Sequence, residues 1–285
     1  MKDRYQGYVF VSPGVLLFVL VLGFPVITTL FNSFCPVWSA GIAKFTLQNY
    51  AKVTQDWVPR KVLGNTLVFV SCTVLLHFLL GLTVASALDT EVRGKRVFRV
   101  LAILPWAVPD SIAGLIWRFL YDPLHGSVNK ILLTLHLIET PIEWLSNPAL
   151  SLMSVIFADV WRGYPFVMII LLAGLQSIPP ELYEAAEVDG ASPVQRYLRI
   201  TLPQLKTMII IALALDTVWQ FRMFGLVYTL TGGGPGRQTE TLPLLVYKQY
   251  FNYFNFEYAA AVAVTSAVMM LMLSLPYLWI MLRRE

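Results

Sequence analysis

Ile178-Pro-Pro-Glu-Leu-Tyr-Glu-Ala-Ala-Glu-Val-Asp-Gly190-Ala-Ser-Pro-Val-Gln-Arg-Tyr-Leu-Arg-Ile200-Thr-Leu-Pro203 interrupts a chain otherwise written in long apolar runs. Pro180 suits a first helical position, and Glu181 and Glu184 stand where a helix dipole favours negative charge. Gly190 can take the left-handed conformation that ends a helix. Ser192 followed by Pro193 supplies an N-cap and first-turn proline for a second helix, with Val194, Tyr197, Leu198 and Thr201 on one stripe and Pro203 closing it. The stretch therefore predicts two short helices joined at a glycine. Its small pair Ala185-Ala186 would let another surface approach closely, which suggests a docking element.

The sequence on either side says where this element sits. Of 285 residues, 57% are hydrophobic and only 13% charged, too few polar groups to cover a water-soluble surface, so lipid is the solvent. A span needs about 20 mainly apolar residues to cross ~30 Å of hydrocarbon. Six stretches qualify: about Val9–Phe34, Val62–Leu88, Val100–Tyr121, Leu150–Ser177, Thr207–Leu230 and Tyr258–Leu282. The first follows Lys2 and Arg4 but exceeds a signal-peptide core, is interrupted by Pro25 and lacks a small-residue cleavage site; it reads as a retained anchor. The whole chain, 1–285, reads as a single transmembrane domain.

Orientation follows from lysine and arginine. Eleven (Lys2, Arg4, Arg93, Lys95, Arg96, Arg99, Arg196, Arg199, Lys206, Arg283, Arg284) fall in one set of connections and seven in the other, which puts both termini and the 178–206 loop in the cytoplasm. Basic residues that punctuate apolar runs form no nucleic-acid surface, despite the formal charge of +4. On the outer side, Asp122 to Ala149 with Ile131–Leu137 and Trp144 predicts a short interfacial helix and turn. Cys35 and Cys72 have no metal or redox spacing and receive no role.

Ionisable residues inside spans are functional candidates by default. Counting 1.5 Å per residue, Asp110 and Asp216 each lie roughly 15 Å above the cytoplasmic face, and Asp159 and Arg162 enter from outside to a similar depth. Trp106 is four residues from Asp110, while Trp219 and Gln220 are three and four from Asp216. Carboxylates, a guanidinium, an amide and indole faces suit a sugar, whose hydroxyls want bidentate partners and whose apolar face stacks on aromatic rings. Arg222 and Arg118 read as nearer the outer mouth. His77 has no polar neighbour on its own span and reads as a helix–helix hydrogen bonder. Salt-bridging between helices and simple packing remain the plainer alternative for any one of these side chains.

Glu184-Ala185-Ala186, Gly190, Ile200 and Leu202-Pro203 fill every position of a pattern in the membrane subunits of binding-protein-dependent ABC importers, and the chain resembles that family. Leu104-Pro-Trp-Ala-Val-Pro109, Trp161-Arg-Gly-Tyr-Pro165 and Thr231-Gly-Gly-Gly-Pro235 look like segments of its carbohydrate-uptake branch, which carries maltose, trehalose, other oligosaccharides or glycerol phosphate.

The resemblance implies an all-α, type I importer fold, with the span at 9–34 as an extra helix before a five-span core at 62–282. It implies that Glu181, Tyr183, Glu184, Ala185, Ala186, Asp189, Gly190, Ile200, Leu202 and Pro203 serve a coupling loop that docks on a separate ATPase. A substrate path would be lined by Trp106, Asp110, Asp159, Arg162, Gly163, Asp216, Trp219 and Gln220. Implied partners are two ATPase subunits holding ATP and magnesium, a second homologous permease subunit and an extracytoplasmic sugar-binding protein, in a bacterial or archaeal plasma membrane.

No phosphate-binding loop, metal cluster or hydrolase motif is present: Gly232-Gly-Gly-Pro-Gly-Arg237 has no following Gly-Lys-Ser/Thr and reads as a tight turn. Readings from other classes remain open, namely an ion-coupled secondary transporter using Asp110, Asp159 and Asp216, and a membrane-embedded enzyme. Neither accounts for the 178–203 stretch.

Overall fold

The computed structural model describes residues 2–35, 45–90 and 94–282; Lys44, Arg93, Arg283 and Arg284, which entered the charge count, lie outside them. Every regular element among the described residues is helical. In chain order these are α1 (Lys2–Phe18), α2 (Phe24–Ser33), α3 (Gln48–Gln55), α4 (Trp57–Asp89), α5 (Lys95–Ile103), α6 (Asp110–Leu120), α7 (Ser127–Thr134) and α8 (Ser151–Leu175). They continue with α9 (Pro180–Val188), α10 (Pro193–Arg196), α11 (Leu202–Phe221), α12 (Gly225–Thr231), α13 (Leu242–Tyr247) and α14 (Phe256–Leu282). Five helical stretches are long and apolar enough to cross a membrane: Phe10–Ser33, Trp57–Asp89, Ser151–Leu175, Pro193–Phe221 and Phe256–Tyr277. A sixth span arises if the bent pair Lys95–Ala107 and Asp110–Leu120 counts as one.

That bent pair corrects the uninterrupted helix expected over Val100–Tyr121. Its halves meet at 97°. Pro109 has no N–H to donate and pushes the preceding residue out of helical geometry, and Val108 accordingly takes φ −79°, ψ 125°. Asp110 consequently opens α6, so its depth cannot be counted along one rod from Arg99. Trp106, in a 3₁₀ turn over Leu104–Ala107, does not share a helical face with it.

The fifth span is displaced from Thr207–Leu230 to Pro193–Phe221. At its start, Ser192 and Gln195 form a reciprocal capping box. Pro203 was expected to close this short helix, and it does not. A π turn over Tyr197–Thr201 lets the Leu202 N–H reach the Tyr197 carbonyl, so the ladder has already slipped by one residue where the proline lacks a donor. A similar π turn, Val19–Gly23, precedes Pro25, and the first span runs on through it. At its far end the fifth span stops at Phe221, and α12 packs instead on α6: a Cβ on Gly114 would overlap Thr229 Oγ1 and crowd the Leu226 carbonyl.

Contacts divide the chain into two compact units, Met1–Arg60 with Leu245–Val268 and Lys61–Leu244 with Met269–Glu285. Within the first, Asn49 Nδ2 donates to the carbonyls of Ser33 and Cys35 at 3.2 and 3.3 Å, and the Ser33 and Tyr50 hydroxyls are 2.7 Å apart, which fastens α3 to the end of α2. Ala259 and Ala260 are buried, while Ala267 is exposed.

The second unit has a core of Ala85 and Leu88 from α4, Val167, Met168, Leu171 and Leu175 from α8, and Leu205 and Ala212 from α11. Its connection between α6 and α8 contains the expected short helix, α7, pinned by Asn129. That side chain donates to the Ile142 carbonyl at 3.0 Å and accepts from the Trp144 indole at 2.9 Å and the Ile142 N–H at 3.2 Å. Asp122 accepts from the N–H groups of His125 and Leu124, which holds its carboxyl below the usual range. The glycine run is a turn after α12, with Gly232, Gly233 and Gly236 at positive φ.

Candidate functional site

α4, α8 and α11 are apolar along most of their length, and packing brings together His77 of α4, Asp159 and Arg162 of α8 and Asp216 of α11. Asp110 at the start of α6 accepts from Arg162 of α8 at 2.8 Å. Asp216 of α11 accepts from the Gln220 amide at 3.1 Å and lies 3.0 and 3.2 Å from Nδ1 of His77. Asp159 is fully buried, with its carboxylate 3.7 Å from Arg162 Nε and 3.9 Å from His77 Nε2. Asp110, Asp159 and Asp216 each have a nitrogen of Arg162 or His77 within 4 Å.

A cavity of about 300 Å³ opens against this cluster, lined by Trp106, Asp110, Arg162, Gly163, Phe166, Asp216, Trp219, Gln220, Arg222 and Met223. Seven of the eight side chains expected along a substrate path are on its wall. Asp159 is behind the wall, in contact with His77. Arg222 lines the same cavity rather than an outer mouth, because α11 ends one residue earlier. Arg118 lines a separate cavity with Tyr121, Asp122 and Pro235.

Three aromatic rings form one side of the wall. Phe166 meets Trp219 edge-on at 4.5 Å between centroids, and Trp106 is 6.1 and 6.4 Å from Phe166 and Trp219. Phe166 was missed because the sequence search weighed only polar groups and indoles; its position three residues after Gly163 on α8 was the available signal. In the same lining, Gln220 is 4% exposed and its side-chain carbonyl oxygen has no hydrogen-bond partner. A buried, unpaired acceptor on a cavity wall is costly unless something that enters the cavity satisfies it.

His77 is the helix–helix hydrogen bonder that its sequence context suggested, joining α4 to α8 and α11. Its partners are 82 and 139 positions away, so nothing on its own helix announces them. Gly163 has a related second role, since a Cβ there would overlap the His77 ring.

The 178–203 element folds locally as its caps dictate. α9 starts at Pro180, and Gly190, at φ 77°, ends it with its N–H on the Glu187 carbonyl at 3.0 Å. Glu187 pairs with Arg196 at 2.8 Å, closing the glycine corner. The Tyr183 and Thr201 hydroxyls are 2.9 Å apart, tying α9 to the fifth span, and the Tyr197 and Ser86 hydroxyls are 3.1 Å apart, tying that span to α4. Glu181, Glu184, Ala185, Asp189, Gly190 and Pro203 are exposed, whereas Ala186, Ile200 and Leu202 are half-buried. The expected stripe divides: Tyr197 and Thr201 turn inward, while Val194 and Leu198 join Val188, which is 89% exposed, on the open side.

Residues 77–283 match the family described as binding-protein-dependent transport system inner membrane component. The chain is 39% identical over 235 residues to a trehalose/maltose transport system permease protein of Thermococcus litoralis, covering 81% of this chain and 78% of that one. It is 32% identical over 275 residues to an sn-glycerol-3-phosphate transport system permease protein of Agrobacterium fabrum, covering 95% and 93%. Its fold is similar to that in the crystal structure of a bacterial ABC transporter involved in the import of the acidic polysaccharide alginate. There the TM-score is 0.87 at 22% identity, over 99% of this chain and 97% of that one. The expected all-helical, type I importer fold is thus observed.

Proposed function

We propose that this chain, which belongs to the binding-protein-dependent transport system inner membrane component family, carries a sugar across the membrane for an importer powered by separate ATPase subunits. The chain is a permease subunit and not an enzyme, as are the relatives it matches. The proposed substrate class spans mono-, di- and oligosaccharides and related polyol phosphates.

One observation carries the substrate class: a single cavity is lined by the rings of Trp106, Phe166 and Trp219 and by the amide of Gln220, whose carbonyl oxygen has no hydrogen-bond partner. Rings stack on the apolar face of a pyranose, and a buried carbonyl accepts from a hydroxyl. The names of the trehalose/maltose and glycerol-phosphate relatives support the same class. Removing that acceptor in Gln220→Ala is expected to raise the sugar concentration giving half-maximal stimulation of ATP hydrolysis about 10-fold, a loss of about 1.4 kcal/mol. Titrating ATP hydrolysis with sugar in the reconstituted complex checks this.

Energy would enter through α9. Its exposed Glu181, Glu184, Ala185 and Val188 form the face offered to an ATPase, and the Tyr183–Thr201 bond would pass its movement to the fifth span. ATP and magnesium would reside on two such ATPase subunits, with a second, homologous permease subunit completing the membrane part and an extracytoplasmic protein delivering sugar. Alternating access then exposes the cavity to one side at a time. Lysine and arginine distribution favours cytoplasmic termini and a cytoplasmic α9. Tyr183→Phe, which keeps the ring and removes the bond to Thr201, is expected to leave basal ATP hydrolysis intact and to lower sugar stimulation about threefold. That corresponds to one hydrogen bond of about 0.7 kcal/mol.

Affinity purification of this chain in mild detergent tests the proposal. Co-purification of an ATPase subunit and a second membrane subunit supports it. A chain that purifies alone and still transports would restore the ion-coupled secondary transporter, an alternative that the family membership disfavours.

A further inference from the structure

We propose that His77 is a positioning residue of the cavity, present as an imidazolium whose two N–H groups clamp α11 to α8 and thereby aim Asp216 and Gln220. The inference rests on the sugar-import reading for its functional consequence, though not for the protonation state.

The ring is fully buried, and each nitrogen faces an oxygen from a different helix. Nδ1 is 3.0 Å from Asp216 Oδ2 and 3.2 Å from Oδ1, and Nε2 is 3.2 Å from the Asp159 backbone carbonyl. A backbone carbonyl accepts only, so Nε2 must carry hydrogen. Asp216 Oδ1 already accepts from the Gln220 amide, which matches an ionised carboxylate that also accepts from Nδ1. With Asp216 ionised, one proton on the ring would leave a lone pair aimed at one of these oxygens, whereas two satisfy both.

The surrounding charges agree. From α8 the ring meets the Asp159 carboxylate at 3.9 Å, with Arg162 beyond it drawn to Asp110. From α11 it meets Asp216, and on its own helix Thr73 and Gly81, one turn to either side, carry no charge. Gly163 supplies the space, because any side chain there would take the place of the ring. His77 itself is absent from the residues lining the cavity. Its effect passes through Asp216, whose Oδ1 accepts from the Gln220 amide and so orients that side chain on the cavity wall.

The experiment uses the assembled transporter in two arms. In the first, ¹⁵N-histidine spectra are recorded at neutral pH, with the His77 signals identified by their loss in His77→Gln or, should that variant not assemble, by their change in Asp216→Asn. Two protonated ring nitrogens in the wild type, reduced to one in Asp216→Asn, are expected; one protonated nitrogen in the wild type overturns the proposal. In the second, ATP hydrolysis is titrated with maltose and with trehalose, each on the transporter's own binding protein. His77→Gln is expected to raise the half-stimulating concentration about 10-fold with a much smaller change in maximal rate. An unchanged concentration in a complex whose wild type responds overturns the positioning role. A wild type that answers to neither disaccharide overturns maltose and trehalose as its cargo instead, and the spectra still decide the state of His77.

Discussion

Glu184→Lys combined with Gly190→Pro is expected to strip the ATPase from the purified complex and reduce its ATP hydrolysis to background, a loss of about 100-fold or more. Gly190 sits at φ 77°, and a proline ring fixes φ near −65°, so the variant cannot close the corner between α9 and α10. Proline also removes the N–H that Gly190 donates to the Glu187 carbonyl. With the corner opened, the 2.8 Å pair between Glu187 and Arg196 no longer holds α9 against the following helix. The charge reversal at exposed Glu184 separately changes the face proposed to dock. Neither residue contributes to the buried core of α4, α8 and α11, so the membrane part should still assemble. Pull-down of the ATPase, alongside size-exclusion of the membrane subunits, measures both statements; full retention of the ATPase would remove α9 from its proposed role.

Gly163→Ala is expected to destabilise the second unit by about 3 kcal/mol and to abolish sugar-stimulated hydrolysis. The added methyl meets the His77 ring, which is fully buried and held on two sides by Asp159 and Asp216. Overpacking alone costs about 1–3 kcal/mol, and displacing the ring leaves buried carboxylates short of a partner, which adds to it. Thermal melting of the complex in detergent checks the first part. The pair His77→Ala with Gly163→Ala checks the cause: removing the ring should recover part of the melting temperature without recovering stimulation. If the single variant melts like the wild type, α4 and α8 do not approach as closely as described.

Much of this molecule was legible because its signals are local. The caps at Pro180, Gly190 and Ser192 determine their own backbone and needed no neighbour, and the apolar runs announce spans by length alone. Errors cluster where a distant element decided the outcome. The third span bends because of Pro105 and Pro109, which an apolar count passes over. The fifth ends at Phe221 because α12 finds a better surface on α6, where Gly114 permits contact with Thr229. Pro203 was read as a stop because a π turn leaves no mark in hydropathy. The polar cavity was found from depth counting even though the count for Asp110 fails on a bent helix, since the pairing of Asp110 with Arg162 depends on where the helices cross. His77 does bond between helices, as its isolation on its own span suggested, but which residues it reaches could not be read, because they belong to two other helices.

The π turn at Tyr197–Thr201 has a consequence for how motion could reach the cavity. Because the helix passes Pro203 unbroken, Pro193–Phe221 is a single rod of 29 residues, about 43 Å long, with the glycine corner at one end and Asp216 and Gln220 near the other. Such a rod works as a lever. A tilt of about 5° at its Pro193 end would sweep Gln220, roughly 40 Å away, through about 3.5 Å, farther than a hydrogen bond can stretch. A site of this kind can release its cargo with no hinge inside the bilayer, by the small rotation of one stiff arm.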